Sequence, residues 1–418
     1  MNPLDTPPVS ATETVTRLLN EDDTFLAHLE RRAVGTPWLH ERKRSAWNRF
    51  RELPMPTRKD EKWRFSRLDR KLLDGLRLSD ELGEQAGSEL ATCSHLIEET
   101  AGRLVAANDF VVDFQGVSDE LASKGVFFGP LELALEQIPE VVERYFLSEG
   151  TQLGSEKFFA LHGAYVKCAT VLYVPRGVTI EQPLLAHYWH AQDGAAIFPH
   201  TLAVLEENAE ATLIDAFFSH NLEASGSAFA SADLHAGANA RLKRIVVQDF
   251  NEQVQSFQMD AAVAQRDAQI KNISVNLGAK QARYETQCRI EGAGADIRNF
   301  SLTVADSDQE FDQRTLQIHN APNAVSDLLY KNALLDRARS IFSGLIQVAE
   351  NAQQTDAYQT NRNLLLDSTA EANSLPGLEI NANDVKCSHG ATTSQLDQEE
   401  LFYFMARGIP AREAKRLL

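Results

Sequence analysis

Metal chemistry is the first function that the side chains of this sequence suggest. Cys387 and His389 stand two positions apart in the segment NANDVKCSHGATTSQLD. In a β-strand, residues at this spacing project from the same face. A thiolate is a soft ligand and an imidazole a borderline one, so the pair is suited to iron or sulfur-bound iron. Packing of the cysteine and hydrogen bonding of the imidazole are the structural alternative.

The pair is incomplete as a metal site. Two ligands do not fill a tetrahedral coordination sphere. If the pair binds metal, the other ligands come from elsewhere in the chain or from a second subunit, which would place the site at an interface. Cys168 and Cys288 lie in apolar strand contexts and are predicted to be structural. Hydrogen bonding is the predicted role of the scattered histidines, which show no recognised ligand spacing: His187, His190, His200, His220 and His235.

Common enzyme motifs are absent from the sequence. It contains no GxxxxGK[ST] loop, and the GAG at residues 292–294 lacks the spacing of a dinucleotide fingerprint. Any use of ATP would therefore require another protein. The HExxH, GxSxG and CxxC patterns are missing as well. The sequence predicts a non-catalytic protein.

Composition argues against two kinds of partner. The formal net charge of −18 disfavours nucleic acid, because phosphate binding requires a cationic surface. No stretch approaches the roughly 18 uninterrupted apolar residues of a membrane helix. The first 20 residues lack the basic start and apolar block of a secretory signal. We therefore expect a cytoplasmic protein that binds neither nucleic acid nor membrane.

The Cys-x-His pair lies at the end of a long β-rich region. From about residue 160, short β-rich runs alternate with Gly, Asn and Asp turns. Four segments, ENAEATL, AGANARL, AQRDAQI and EGAGADI, repeat at steps of 29, 28 and 27 residues, and a looser match follows at DRARSI. Steps near 28 residues predict the coils of a β-helix, with a meandering sandwich as the alternative. The segments end at Leu213, Leu242, Ile270, Ile297 and Ile341.

Helical regions are predicted on both sides of the β-helix. Residues 1–150 combine three- and four-residue apolar spacing with short extended runs, which predicts a mixed, mainly helical domain. The β-helix core is expected over residues 151–390. Residues 391–418 return to helical spacing, so we expect a C-terminal helical region there.

Local signals mark the ends of the C-terminal helices. Asp397 and Glu400 have capping-box spacing before the run LFYFMA, with Asp in place of the usual Ser or Thr. Gly408 fits the end of that helix. Pro410 stands where a second helix can begin.

Residues 378–413 resemble the C-terminal signature of the SufB/SufD family. The specific parts of LEINANDVKCSHGATTSQLDQEELFYFMARGIPARE are the runs DVKCSHGAT, QLD, LFYF and RGI. Milder likeness extends to PTRKDEKWRFSRL, RLVAANDFVV and VPRGVTIEQPL in matching order. SufB-type chains resemble one another in a glutamate-rich E-H-E where this chain has Cys-Ser-His-Gly, so the likeness is to the SufD branch.

The resemblance implies a mainly β protein with a right-handed parallel β-helix core and helical N- and C-terminal regions. It also implies a scaffold subunit for iron-sulfur cluster assembly that pairs with a SufB-type subunit through the β-helices. A SufC-type ATPase would bind the C-terminal helical region. The residues expected to contact these partners are Asp397, Leu401, Phe402, Phe404, Arg407 and Gly408.

By position in the family signature, His389 is the expected cluster or iron ligand at the subunit interface, and Cys387 is a secondary candidate. The resemblance implies no intrinsic cofactor, only an iron-sulfur cluster or iron held transiently in the complex. Three alternatives stay open: a homodimer of the isolated chain, a β-helical carbohydrate-active enzyme and a stand-alone iron-binding protein.

Overall fold

A parallel β-solenoid of about 8 turns, with helices at its N- and C-terminal ends, forms most of the protein. A computed structural model describes residues 21–31, 36–69, 71–95 and 97–417. The predicted parallel β-helix with flanking helices is confirmed, and the alternative of a meandering sandwich is wrong. The first 20 residues of the predicted N-terminal domain lie outside the described residues. The domain limits at residues 150 and 390 stay predictions.

The part of the chain before the solenoid is mixed, as its sequence predicts. Pro37 opens the second helix, where its fixed φ suits the first turn. A 3₁₀ turn lies at Glu61–Trp63. The helices are α1 (Asp22–Arg31), α2 (Pro37–Glu52), α3 (Glu84–Cys93), α4 (Asp119–Ser123), α5 (Leu131–Gln137), α6 (Pro139–Tyr145) and α7 (Glu156–Tyr165). The strands are β1 (Arg77–Leu78), β2 (Gly102–Ala107), β3 (Phe110–Gln115) and β4 (Phe127–Pro130).

The solenoid strands alternate between two sheets. They are β5 (Ala169–Val174), β6 (Leu184–His190), β7 (Ala195–Ile197), β8 (His200–Leu205), β9 (Glu210–Ser219), β10 (Gly226–Ala236), β11 (Arg241–Asp249), β12 (Val254–Ala264), β13 (Gln269–Asn276), β14 (Gln281–Ile290), β15 (Asp296–Ala305), β16 (Glu310–His319), β17 (Val325–Leu334), β18 (Arg339–Val348), β19 (Asp356–Leu365), β20 (Glu371–Ile380) and β21 (Lys386–Gln395). The first sheet runs in the order β20-β18-β16-β14-β12-β10-β8-β5-β4, and the second in the order β21-β19-β17-β15-β13-β11-β9-β6-β2-β3. Two helices follow, α8 (Gln398–Met405) and α9 (Ala411–Leu417). None of the described helices has the length and apolar character needed to cross a bilayer.

The sequence repeat corresponds to the corners of the second sheet, with one slip. Leu242, Ile270 and Ile297 are register partners, so two of the predicted steps are correct. Leu242 pairs with Ala211 and not with Leu213, so the first step was aligned two residues out of register. Ile341 lies in the first sheet and does not continue the repeat. The segments nevertheless end at buried positions of the solenoid core.

Left-handed turn residues explain the repeat. Asn208, Asn239 and Asp267 have positive φ of 59°, 57° and 58°, a conformation that Asn and Asp adopt more readily than most residues. A buried alanine follows each of them and fits the tight corner. Ala209, rather than Ala211, is the counterpart of the later corner alanines, and this accounts for the slip.

An aromatic core holds the N-terminal helices against the outer face of the first sheet. Phe158 of α7 packs on Phe257 of β12, with ring centroids 4.4 Å apart, and on Phe229 of β10 at 5.7 Å. Trp47 of α2 and Trp63 belong to the same buried cluster. The helices therefore cover the early and middle coils, and β20 and β21 at the far end lie outside this cluster.

Candidate functional site at the open end of the solenoid

The last coil presents an uncovered end. Among the described residues, β20 pairs only with β18, and β21 pairs only with β19. Each of these strands therefore has an edge without a neighbouring strand, and such edges are ready templates for pairing with another chain. Burial changes sharply at this point. Inward positions of β19 are buried, whereas nearly all of β21 is exposed.

Cys387 and His389 lie on this last strand and continue the inward face of the coil before it. Cys387 is the register partner of Ala357, and His389 is the partner of Gln359. Ala357 and Gln359 are buried inside the solenoid at 0% and 1% exposure. The spacing argument thus gave the correct strand geometry. The two side chains share the face that closes the end of the solenoid.

The environments of the two candidate ligands differ. Cys387 is half-buried and packs on an apolar cluster that includes Ile346, Val348 and Ala357. Burial raises the pKa of its thiol, and the nearby Asp356 carboxylate raises it further. The thiol is therefore protonated at neutral pH, and a metal ion would have to displace that proton. His389 is exposed to solvent.

The structure does not add further ligands to the pair. No group of three or more His, Cys, Asp or Glu side chains among the residues described is arranged to hold a metal ion. Cys387 and His389 therefore offer at most a partial coordination sphere. Completing it would require donors from another molecule.

The C-terminal helices begin and end where the local signals predict. The Asp397 carboxylate caps α8 by accepting hydrogen bonds from the backbone N–H groups of Glu399 (2.8 Å) and Glu400 (3.4 Å). Gly408 ends the helical turn with φ of +82°. Pro410 precedes α9 at Ala411.

These helices present an apolar surface. Phe402 is 71% exposed, Tyr403 54% and Met405 45%. Leu401 is buried instead, and Phe404 is half-buried. The guanidinium of Arg407 lies 3.3 Å from the centroid of the Tyr403 ring, which orders that side of the helix. An exposed apolar patch of this kind is typical of a protein-binding surface.

The scattered histidines do not form a site together. His190 and His200 are buried with hydrogen-bond partners, as predicted, and His220 is exposed. His235 lies near Ser148 at the edge of hydrogen-bonding distance, 3.5 Å. The prediction is wrong for His187, whose two ring nitrogens have no hydrogen-bond partner among the described residues. It stacks on Phe218, and burial lowers its pKa to about 4.

Cysteine burial supports the predicted structural roles of Cys168 and Cys288, which are both in the core. Burial raises the pKa of the Cys288 thiol to about 12. The amide of Asn299 donates to its sulfur at 3.3 Å. A thiol held in this state is a poor ligand and a poor nucleophile.

A buried cluster of titratable groups was not predicted from the sequence. His162 on α7 meets His200 on β8, with Nε2 and Nδ1 3.0 Å apart. His200 Nε2 lies 3.4 Å from a carboxylate oxygen of Asp233 on β10. The three residues are far apart in the chain and have no motif spacing, so only the docking of α7 on the first sheet brings them together.

Comparison with known proteins follows the same division of the chain into helical and solenoid parts. The fold and the exposed last coil define the class, a β-solenoid protein with an uncovered end. The family model "SUF system FeS cluster assembly, SufBD core domain" matches residues 187–418, and the model "SufBD protein N-terminal region" matches residues 23–185. The chain belongs to the SufB/SufD family of iron-sulfur cluster assembly proteins.

Individual relatives agree with this assignment. The chain is 30% identical over 381 residues to the iron-sulfur cluster assembly protein SufD of Escherichia coli (strain K12), covering 87% of this chain and 82% of that protein. It is 27% identical over 406 residues to SufD of Bacillus subtilis (strain 168), covering 96% and 92%. The chloroplastic protein ABCI7 of Arabidopsis thaliana is 27% identical over 376 residues, with 87% and 77% covered.

Proposed function

We propose that this chain is a SufD-type scaffold subunit that assembles iron-sulfur clusters together with a SufB-type subunit and a SufC-type ATPase. The observation that carries the proposal is the uncovered solenoid end, where unpaired strand edges lie beside Cys387 and His389. The printed names of the SufD relatives support the same role. ATP hydrolysis belongs to the SufC-type partner in this proposal.

Strand pairing would join the two solenoids. The outer edges of β20 and β21 carry backbone donors and acceptors that another strand could satisfy. A SufB-type subunit of the same family would offer matching edges, so both sheets could continue from one subunit into the other. This arrangement also covers the inward face that carries Cys387 and His389.

A shared site would follow from that pairing. His389 would contribute an imidazole and Cys387 a thiolate, and the partner would supply the remaining ligands. Because one subunit holds only part of the coordination sphere, cluster binding would depend on the joined state. Iron and sulfide are cargo of the complex in this scheme.

The α8–α9 pair would receive the ATPase. Phe402, Tyr403 and Met405 form a compact apolar and aromatic surface on α8, and aromatic anchors of this kind dominate binding energy at protein interfaces. Asp397 and Gly408 would act indirectly, because they fix the start and the end of that helix. Leu401 would act from the interior by holding α8 in place.

Co-expression tests the assembly. The tagged chain is produced with SufB-type and SufC-type partners, and the subunit stoichiometry is measured after size exclusion. Phe402→Glu should release the ATPase while leaving the SufB-type subunit bound. Leu222→Glu is a matched control, because Leu222 is equally exposed at 73% but distant in sequence. Recovery of the tagged chain alone from the wild-type culture would contradict the proposal.

His389→Ala tests the site. The variant complex should keep its stoichiometry, and its cluster content after reconstitution should fall at least tenfold or thereabouts, about the cost of weakening a metal site. His220→Ala is the control, since His220 is another exposed histidine. Iron and sulfide content together with the visible absorption of the cluster give the measurement. Wild-type cluster content in His389→Ala would exclude His389 as a ligand.

A further inference from the structure

A row of three cations crosses the outer face of the second sheet. Lys243 on β11, Lys271 on β13 and Arg298 on β15 are register partners on neighbouring strands, and all three are exposed. We call them the cation row. Neighbouring strands are about 4.8 Å apart, so the three side chains are stacked at close range.

The cation row is unfavourable for folding by itself. Like charges directly opposite each other on adjacent strands destabilise a sheet. Lys243 and Lys271 form no ion pair with any residue that the structure describes. Arg298 pairs with Asp296 at 2.9 Å within its own strand. A chain with net charge −18 keeps three cations in line here, so attraction to an external anion is a physical reason for the arrangement.

A groove of about 440 Å³ lies along the cation row. Arg241 adds a fourth cation to its lining and lies 3.7 Å from Glu210. Glu210 and Asp296 are the two carboxylates that line it. Four cations against two carboxylates give the groove a positive charge.

Apolar side chains continue the face next to the cation row. The adjacent row holds Ile245, Ile273 and Phe300, which are half-buried. Beyond them, Leu302 is 46% exposed and Val304 37%. Successive outward positions on a strand are about 6.6 Å apart, so the apolar rows begin one side-chain spacing from the cations. The face therefore combines a cationic border with a contiguous apolar field.

We propose that this face of the second sheet docks an acidic amphipathic segment of a partner protein. Carboxylates of the segment would lie over Lys243, Lys271 and Arg298, and its apolar side chains would cover Ile273, Phe300 and Leu302. A helix suits the face, because carboxylates three or four positions apart form one line and leucines on the neighbouring side form a second. The adjoining apolar rows favour a polypeptide over a phosphate compound, which would leave them exposed. This docking face is separate from the end of the solenoid used in the proposed function.

Peptide binding to the full-length chain tests the inference. The probe is a short fluorescent helical peptide with glutamates on one face and leucines on the adjacent face, and its comparison is the same peptide with glutamines in place of glutamates. Binding is measured by fluorescence anisotropy at low and high salt. Inorganic tripolyphosphate is titrated as a competitor, which distinguishes a phosphate site from a peptide site.

Two triple variants make the test specific. Lys243→Gln, Lys271→Gln and Arg298→Gln together should weaken binding of the acidic peptide about tenfold or more. The control combines Lys124→Gln, Arg176→Gln and Arg337→Gln, which remove the same charge from exposed positions on other parts of the molecule. Circular dichroism verifies that both variants fold. Leu302→Ser should weaken binding independently of salt.

Saturable, salt-sensitive binding of the acidic peptide that is lost only in the cation-row variant would support the inference. Equal binding of the glutamine peptide, equal loss in the control variant or no binding at all would overturn it. Binding of tripolyphosphate that depends on the cation row, without any binding of the peptide, would also overturn it in favour of a phosphate ligand.

Discussion

Cys387 and His389 show how far residue type and spacing lead. Their common face follows from the two-residue period of a strand, which is a local property, and the sequence predicts it correctly. The half-burial of the thiol depends on the apolar cluster around Ile346 and Val348 in neighbouring coils. That packing is decided by long-range pairing, so the raised pKa of Cys387 could not be predicted from the motif.

The buried His162, His200 and Asp233 cluster must hold a proton. A carbonyl oxygen only accepts, so His162 Nδ1 donates to Phe229 O at 2.7 Å. His162 Nε2 then accepts from His200 Nδ1, which leaves the lone pair of His200 Nε2 facing Asp233. Burial raises the pKa of Asp233 to about 7 and lowers that of His200 to about 3. The proton therefore resides on the Asp233 carboxyl at mildly acidic pH.

Asp233→Asn should change how stability depends on pH. The folded pKa of about 7 is above the ordinary value of 3.8, so the stabilising contribution of this carboxyl is complete below about pH 4 and lost as pH rises through 7. Asparagine keeps a donor to His200 and cannot ionise. The wild-type advantage over the variant should therefore fall by about 1.4 kcal/mol per pH unit between pH 5 and 6.5.

Urea unfolding of both proteins across that range measures this difference. The other buried histidines are present in both chains, so their titration largely cancels in the comparison. A difference in unfolding free energy that stays constant with pH would show that Asp233 is ionised throughout the range.

Among whole elements, local signals were read more reliably than repeat alignment. The ends of α8 depend on Asp397 and Gly408, which act within one helical turn, and both were predicted. The step from β9 to β11 was aligned two residues out, because Ala209 and Ala211 both match the corner pattern. Only the strand register, set by the whole coil, distinguishes these two alanines.

Asp397→Ala should loosen α8. It removes the acceptor for two backbone N–H groups at the start of the helix, a loss worth about 1 kcal/mol of helix stability. Asp397→Asn keeps an acceptor and is the matched control. Hydrogen exchange of the α8 amides should be faster in the alanine variant, with little change in β19. Equal exchange in the two variants would mean that packing of Leu401, and not the cap, holds the helix.

The whole molecule depends on how the N-terminal helices dock on the solenoid, and a buried arginine is central to that contact. Arg283 on β14 donates to Glu285 (2.8 Å), to Asp312 (2.5 Å) and to Leu153 O (2.8 Å). Its guanidinium also lies 3.7 Å from the centroid of the Trp63 ring. These partners come from residues up to 249 positions apart along the chain, between Trp63 and Asp312. No sequence pattern could have revealed this docking, whereas the presence of a mainly helical N-terminal region was predicted.

Arg283→Met should therefore separate the two parts of the molecule. Methionine fills a similar volume but leaves Glu285 and Asp312, both almost fully buried, without their shared cation. Removing one partner of a buried ion pair costs roughly 3 kcal/mol or more, because the remaining charges cannot be solvated. Thr151 and Ser155 still donate to Glu285, and Arg314 still pairs with Asp312, so the loss should be at the lower end. The matched control is Arg337→Met, which breaks an exposed pair with Asp308 and should change stability little. Urea unfolding together with limited proteolysis around residues 53–60 measures the effect. Faster cleavage there in Arg283→Met, with an intact solenoid fragment, would show that this arginine holds the N-terminal helices in place; equal cleavage in both variants would assign that role to the aromatic core around Phe158.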